Sequence, residues 1–121
     1  MKNEKCTSIE YFRDTRIPVE YRAEYSIGNI DGEGFITDIS SNGIALRVKQ
    51  VFVLGDEVHV KSIISNDLIL ELSGTVRSIE GNMVGIKIQT IDPSIHARFK
   101  QHIEGLLRLT NKSGIEKYKS D

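Results

Sequence analysis

Short segments with alternating apolar and polar residues cover most of the chain from Val19 to Ile88. An alternation with a period of two predicts strands that bury one face and expose the other. Turn residues such as Asn42-Gly43 separate the segments, and no helical periodicity lies between them. We therefore predict five or six short strands in a barrel or sandwich. The expected inward positions are Val19, Tyr21, Ala23, Tyr25, Ile44, Leu46, Val48, Val58, Val60, Leu68, Leu70, Leu72, Val84, Ile86 and Ile88.

The pattern changes at Asp92-Pro93, where a helix is predicted to begin. Asp92 is a favourable N-cap, and proline is favoured at the first helical position. Gly105 costs about 1 kcal/mol relative to alanine in a helix, so continuity beyond it is less favoured. We expect a flexible N-terminal segment at 1–9, a folded domain at 10–109 and a polar, frayed C-terminal tail at 110–121. The apolar stripe of the helix consists of Ile95, Phe99, Ile103, Leu106 and Leu107.

Composition excludes several classes of function. The 121 residues suffice for one domain, and a formal net charge of -1 gives no basic field for duplex nucleic acid. The single cysteine, Cys6, permits neither an intrachain disulfide nor a cysteine metal site. No window approaches the roughly 20 apolar residues of a membrane span, and the start lacks the apolar region of a secretion signal. We expect a cytoplasmic protein without membrane insertion.

Two polar motifs are candidates for ligand binding. The hexapeptide Asp38-Ile39-Ser40-Ser41-Asn42-Gly43 lies at the bend between two predicted strands, and Arg13 and Arg16 precede the first strand. Arginine pairs bidentately with phosphate groups and stacks on bases. Taken singly, each motif has an ordinary structural explanation, because Asp, Ser, Asn and Gly form turns and arginines form surface ion pairs.

Taken together, the motifs resemble the PilZ domain family, whose members are receptors for the bacterial second messenger cyclic di-GMP. The resemblance runs from Arg13 to about Leu107. It implies a six-stranded antiparallel β-barrel with a C-terminal α-helix, and a ligand held between an N-terminal arginine arm and the D-x-S-x-x-G bend. The similar segments are Arg16-Ile17-Pro18-Val19, Leu54-Gly55-Asp56-Glu57-Val58, Gly74-Thr75-Val76-Arg77 and Val84-Gly85-Ile86-Lys87-Ile88.

The resemblance also implies which residues bind cyclic di-GMP. Arg16 matches the second arginine of the family, whose arginines are usually spaced R-x-x-x-R. Here the spacing is R-x-x-R, so that Phe12 occupies the first arginine position and Arg13 follows it. A carboxylate can accept hydrogen bonds from guanine N1–H and the amino group, and arginine can donate to O6 and N7. The expected ligand-binding residues are Arg13, Arg16, Asp38, Ser40 and Gly43.

We therefore expect a receptor or adaptor that binds cyclic di-GMP, needs no cofactor and acts through an effector protein. The alternative is a degenerate PilZ adaptor that does not bind cyclic di-GMP and acts by protein contacts. A barrel for single-stranded nucleic acid is disfavoured by the charge balance and the lack of an aromatic platform. No enzyme or metal site is expected, because His59, His96 and His102 do not cluster at ligand spacing. The segment Asp31-Gly32-Glu33-Gly34 is interpreted as a turn.

Overall fold

The computed structural model describes residues 16–120, with side chains described for residues 16–109. Within this range six strands form a closed antiparallel barrel in the order β1-β2-β3-β6-β5-β4, followed by one helix. The predicted six-stranded barrel with a C-terminal helix is therefore confirmed. The elements are β1 (Ile17–Ile27), β2 (Ile30–Ser40), β3 (Gly43–Arg47), β4 (Glu57–Ser65), β5 (Leu68–Glu80), β6 (Met83–Ile91) and α1 (Pro93–Ser120).

The apolar members of the alternating segments fill the barrel. Buried side chains alternate with exposed ones along β4 and the first half of β5, as the period-two pattern predicts. Each buried Val, Leu or Ile contributes about 1.5–3 kcal/mol relative to an exposed one. The interior therefore holds the strands in the register that exposes their polar side chains. Its largest fully buried side chains are Phe99, Ile36, Ile39, Ile44, Leu46, Leu70, Leu72, Val58, Val60, Val76 and Val84.

Strand β2 begins earlier than the sequence indicates. The turn after β1 consists of Gly28 and Asn29, and the segment 31–34, interpreted as a turn, is part of β2. That interpretation is wrong because the glycines there serve close packing within the sheet. A Cβ at Gly34 would clash with the carbonyl oxygen of Arg47 on β3. The pairing of β5 with β6 has a register shift between Ser73 and Gly74.

Helix α1 closes the barrel. Asp92 Oδ1 accepts hydrogen bonds from the backbone amides of Ser94 at 2.9 Å and Ile95 at 3.4 Å, which confirms it as the N-cap. These bonds, and first of all the one from the Ser94 hydroxyl, lower the pKa of the Asp92 carboxyl. Phe99 and Ile103 are buried in the barrel core. Ile95, Leu106 and Leu107 pack partly buried against it.

Helix α1 continues through Gly105, where continuity is less favoured, to Ser120. The expected fraying of the tail stays a prediction. Leu106 and Leu107 pack against the core directly after the glycine, and this packing offsets its helix cost. Once a helix is nucleated, each further residue adds a backbone hydrogen bond, so propagation is easier than initiation. The division into segments 1–9, 10–109 and 110–121 stays a prediction.

Candidate functional site

The hexapeptide forms a tight bend between β2 and β3. Ser40 ends β2 and faces Gly43, which begins β3, across a turn made of Ser41 and Asn42. The buried Ser40 hydroxyl donates a hydrogen bond to the Gly43 carbonyl at 3.2 Å. A Cβ at Gly43 would lie 2.8 Å from the Ile86 carbonyl oxygen, so this position favours glycine for steric reasons. The bend predicted from the sequence is therefore confirmed.

Arg16 lies next to this bend. It immediately precedes β1, and the pairing of Pro18 with Asp38 brings it alongside β2. Arg16 Nη1 donates to Asp38 Oδ1 at 2.8 Å, with 55% of the arginine side chain and 26% of the aspartate side chain exposed. An exposed ion pair contributes only about 0–1 kcal/mol. The contact therefore orients the guanidinium more than it stabilises the fold.

A groove of about 410 Å³ extends from Arg16 and the bend across β6 to β5. Three of its lining residues carry a positive charge, and no carboxylate is among the described residues that line it. Such a surface favours an anionic ligand, since like-signed charges along a cleft raise the local concentration of counter-charged molecules. The lining residues are Arg16, Ser40, Asn42, Gly43, Arg77, Ser78, Gly85, Ile86 and Lys87.

Arg77 and Lys87 are the lining cations that sequence reasoning missed as site residues. In the sequence they occur within the strand segments Gly74-Thr75-Val76-Arg77 and Val84-Gly85-Ile86-Lys87-Ile88, which do not mark them as ligand-binding residues. Lys87 pairs with Gly43 across β3 and β6, which places it opposite the end of the hexapeptide. Arg77 lies at a register shift of β5 against β6, between Val76 and Ser78, and is exposed. Alternation along β6 indicates that Lys87 faces outward, but only the strand order shows which residues lie beside it.

A slightly larger groove, of about 470 Å³, lies on β1, β2 and β4. Its lining includes the carboxylates of Glu24, Asp31 and Glu33 together with His59 and Lys61. Clustered carboxylates repel phosphate groups. The groove beside the bend is therefore the better site for an anionic ligand, despite its smaller volume.

The remaining candidate residues are separated from one another or lie outside the described range. Arg13 and Phe12 precede residue 16, so their expected roles stay predictions. His59 contacts Glu71 and Ser73, whereas His102 Nε2 lies 2.8 Å from the Tyr21 hydroxyl. Among residues with described side chains, no group of three His, Cys, Asp or Glu could hold a metal ion. Within the described range, no helix has the length and apolar character of a membrane span.

Several solved structures are similar to this chain. The PilZ domain of CeSA from a cellulose-synthesizing bacterium has a TM-score of 0.61 at 17% identity, covering 76% of this chain and 97% of that one. The PilZ domain with c-di-GMP of YcgR from Escherichia coli has a TM-score of 0.65 at 14% identity, covering 84% and 95%. The Bacillus subtilis inhibitor of motility, MotI/DgrA, has a TM-score of 0.68 at 15% identity, covering 79% and 51%.

At these identities the structural likeness shows the fold alone, and no curated protein sequence matches the chain. The family follows from the sequence itself. The family model described as the PilZ domain matches residues 10–105, which is most of the chain. The matched range contains the hexapeptide, both arginines and the strands that line the groove. The chain therefore belongs to the PilZ domain family.

Proposed function

We propose that this protein is a cyclic di-GMP receptor that binds the messenger in the groove beside the D-x-S-x-x-G bend and acts through an effector protein. The main support for this proposal is the contact of Arg16 with Asp38 beside a groove lined by three cationic residues. Family membership supports the ligand class, and a similar PilZ domain, that of YcgR, has been solved with c-di-GMP.

Arg16 and Asp38 together match the edge of a guanine base. Guanine presents N7 and O6 as acceptors, with the N1–H and amino donors next to O6. The contact with Asp38 uses one of the five N–H donors of the Arg16 guanidinium, and the carboxylate has further lone pairs. In the proposed complex Arg16 donates to O6 and N7, while Asp38 accepts from N1–H and the amino group. Each partner also keeps the other in position.

The other lining residues complete the site. Arg77 and Lys87 extend the positive charge along the groove, where they can pair with the two phosphodiester groups of the ligand. Ser40 closes the bend through its hydroxyl and lines the groove. Gly43 lines the groove without a side chain, and a Cβ there would lie close to the Ile86 carbonyl oxygen. The ligand can therefore approach the backbone of β3.

The proposed arm at residues 9–16 adds Arg13 as a second arginine. In this proposal the arm closes over the bound messenger, and its closure changes the surface presented to the effector protein. A ligand shifts such an equilibrium only through differential affinity for the open and closed states. Contacts of Arg13 with the ligand would supply that difference.

Isothermal titration calorimetry tests this function. Cyclic di-GMP is titrated into the wild-type protein and the Arg16→Ala and Asp38→Ala variants, with cyclic di-AMP and GTP as control ligands. Loss of one charge-assisted hydrogen bond costs about 1.5–3 kcal/mol, so we expect roughly 10- to 150-fold weaker binding in each variant. Arg22→Ala is the matched control, because Arg22 pairs with Glu33 away from the groove and should leave affinity unchanged.

Two outcomes would contradict the proposal. Absence of binding heat at saturating cyclic di-GMP would favour the alternative, a degenerate PilZ adaptor that does not bind the messenger. The R-x-x-R spacing also permits this alternative. Binding that neither Arg16→Ala nor Asp38→Ala weakens would refute the site assignment.

A further inference from the structure

The first turn of α1 is joined to the ligand-binding bend by a side-chain contact. His96 Nε2 lies 3.0 Å from the carbonyl oxygen of Ser41, in a part-buried position. On its other side the same turn is held by β6, because the Ile88 amide donates to the Asn42 carbonyl at 2.9 Å. The Ser41-Asn42 turn is therefore fixed between β6 and α1.

The direction of the His96 hydrogen bond follows from the chemistry of its partner. A carbonyl oxygen only accepts, so Nε2 of His96 must carry the proton that it donates to Ser41. The contact thus selects either the neutral Nε2–H tautomer or the doubly protonated ring. A glutamine side chain can supply an N–H donor at a similar distance from Cα, whereas alanine cannot.

The same helical turn is anchored to the barrel. The His96 amide donates to the Asp92 carbonyl at 2.8 Å, within the N-terminal turn of the helix. One turn later, Phe99 is fully buried in the core. A rigid helix anchored in this way transmits its position to the Ser41 carbonyl. By linkage, a ligand that favours one position of the bend must favour the matching position of α1.

We propose that His96 is a positioning residue that holds the Ser41-Asn42 turn against α1 and thereby couples occupancy of the groove to docking of the helix. The coupling rests on the proposed function, whereas the positioning of the turn does not. His96 lies outside the hexapeptide and outside the other segments that resemble the PilZ family.

The ligand-free protein tests the positioning role. Amide hydrogen exchange is measured by mass spectrometry for wild type, His96→Ala and His96→Gln. We expect exchange in residues 40–44 to be about five-fold faster in His96→Ala, as for loss of one hydrogen bond, and near wild type in His96→Gln. Gln101→Ala is the matched control, because Gln101 lies on the same helix and is exposed. It should leave exchange in the bend unchanged.

The same variants with cyclic di-GMP test the coupling. In wild type, saturating ligand should slow exchange in residues 94–103. In His96→Ala this slowing should be lost and affinity should fall about three- to ten-fold, with both restored in His96→Gln. Unchanged bend exchange in His96→Ala, or an equal effect of Gln101→Ala, would refute the positioning role.

The ligand-free and ligand-bound arms separate the two proposals. If wild type does not bind cyclic di-GMP, the proposed function and the coupling both fall, and the ligand-free comparison still decides whether His96 positions the turn. If wild type binds and the helix shows no slowing, the coupling alone is refuted.

Discussion

Residues that are distant in sequence bring hydrogen-bond donors and acceptors together beside the groove. Arg16 and Asp38 lie 22 positions apart, and the register of β1 against β2 brings them within 2.8 Å. At the other side of the bend, Lys87 faces Gly43 because β6 pairs with β3. The groove thus lies beside the Arg16–Asp38 ion pair, of which Arg16 lines it together with two further cations, Arg77 and Lys87.

This charge distribution predicts a role for Lys87 and Arg77 in affinity. Lys87→Ala and Arg77→Ala should each weaken cyclic di-GMP binding by roughly 10-fold or more, because each removes a cation that can pair with a phosphodiester. The loss should shrink at high salt, since partly exposed charges are screened. Calorimetric titrations at 50 mM and 500 mM NaCl measure both effects.

Lys61→Ala is the control for this prediction. Lys61 is an exposed lysine on β4 that lines the carboxylate-containing groove instead. Its removal makes the net charge of the protein, -1, more negative by the same amount without changing the groove beside the bend. Equal losses in Lys61→Ala and Lys87→Ala would show that only overall charge matters and would contradict a contact in the groove.

The sequence indicates part of this site and not the rest, for a physical reason. Asp38, Ser40 and Gly43 are close in the chain, so a local motif suffices to place them at one bend. Lys87 reaches them only through the pairing of β3 with β6, which are not consecutive strands. Arg77 depends additionally on a register shift that alternation does not reveal.

The positions of the strands and the helix can be predicted from the periodicity of apolar residues, whereas their ends depend on packing. The inward faces of β4 and β5 match the alternation of apolar residues. The glycines of Asp31-Gly32-Glu33-Gly34 indicate a turn, whereas this segment belongs to β2. Instead, Gly34 makes room for the Arg47 carbonyl within the sheet. Such a contact between neighbouring strands leaves no local pattern in the sequence.

The start of α1 depends on Asp92, which gives a prediction for the whole element. Asp92→Ala removes the acceptor for the Ser94 and Ile95 amides and should lower the thermal unfolding midpoint by about 2–8 °C. Asp92→Asn is the control, because asparagine also caps helices and should retain most of the wild-type midpoint. Differential scanning calorimetry at pH 7 measures both. Equal midpoints for Asp92→Ala and wild type would contradict a capping role.

The groove is assembled from strands that are distant in sequence. Its lining comes from β2, β3, β5 and β6 and from the residue before β1. Closure requires the pairings of β3 with β6 and of β1 with β4, which join distant parts of the chain. Helix α1 then adds contacts to β1 and to the bend. The geometry of the groove therefore depends on the pairing of β3 with β6, and α1 reaches the bend through the contact of His96 with Ser41.

Helix docking should also depend on pH through His102. This part-buried ring contacts the Tyr21 hydroxyl of β1, and burial lowers the pKa of His102 below its ordinary value of 6.5. Between these two values the unfolded chain binds more protons than the folded protein, so the free energy of unfolding rises with pH. The contribution is complete above about pH 6.5 and is lost as the pH falls towards the lowered pKa.

Replacing His102 by glutamine removes the titrating group, so the decrease in the free energy of unfolding between pH 7.5 and pH 5.5 should be smaller in His102→Gln than in wild type. Urea unfolding at the two pH values measures this difference. Tyr21→Phe is the control, because it removes the hydroxyl contact but leaves the histidine buried. It should lower stability by about 0.5–1.5 kcal/mol at both pH values while keeping the pH dependence. If instead Tyr21→Phe abolishes the pH dependence, the hydroxyl and not burial controls the titration of His102.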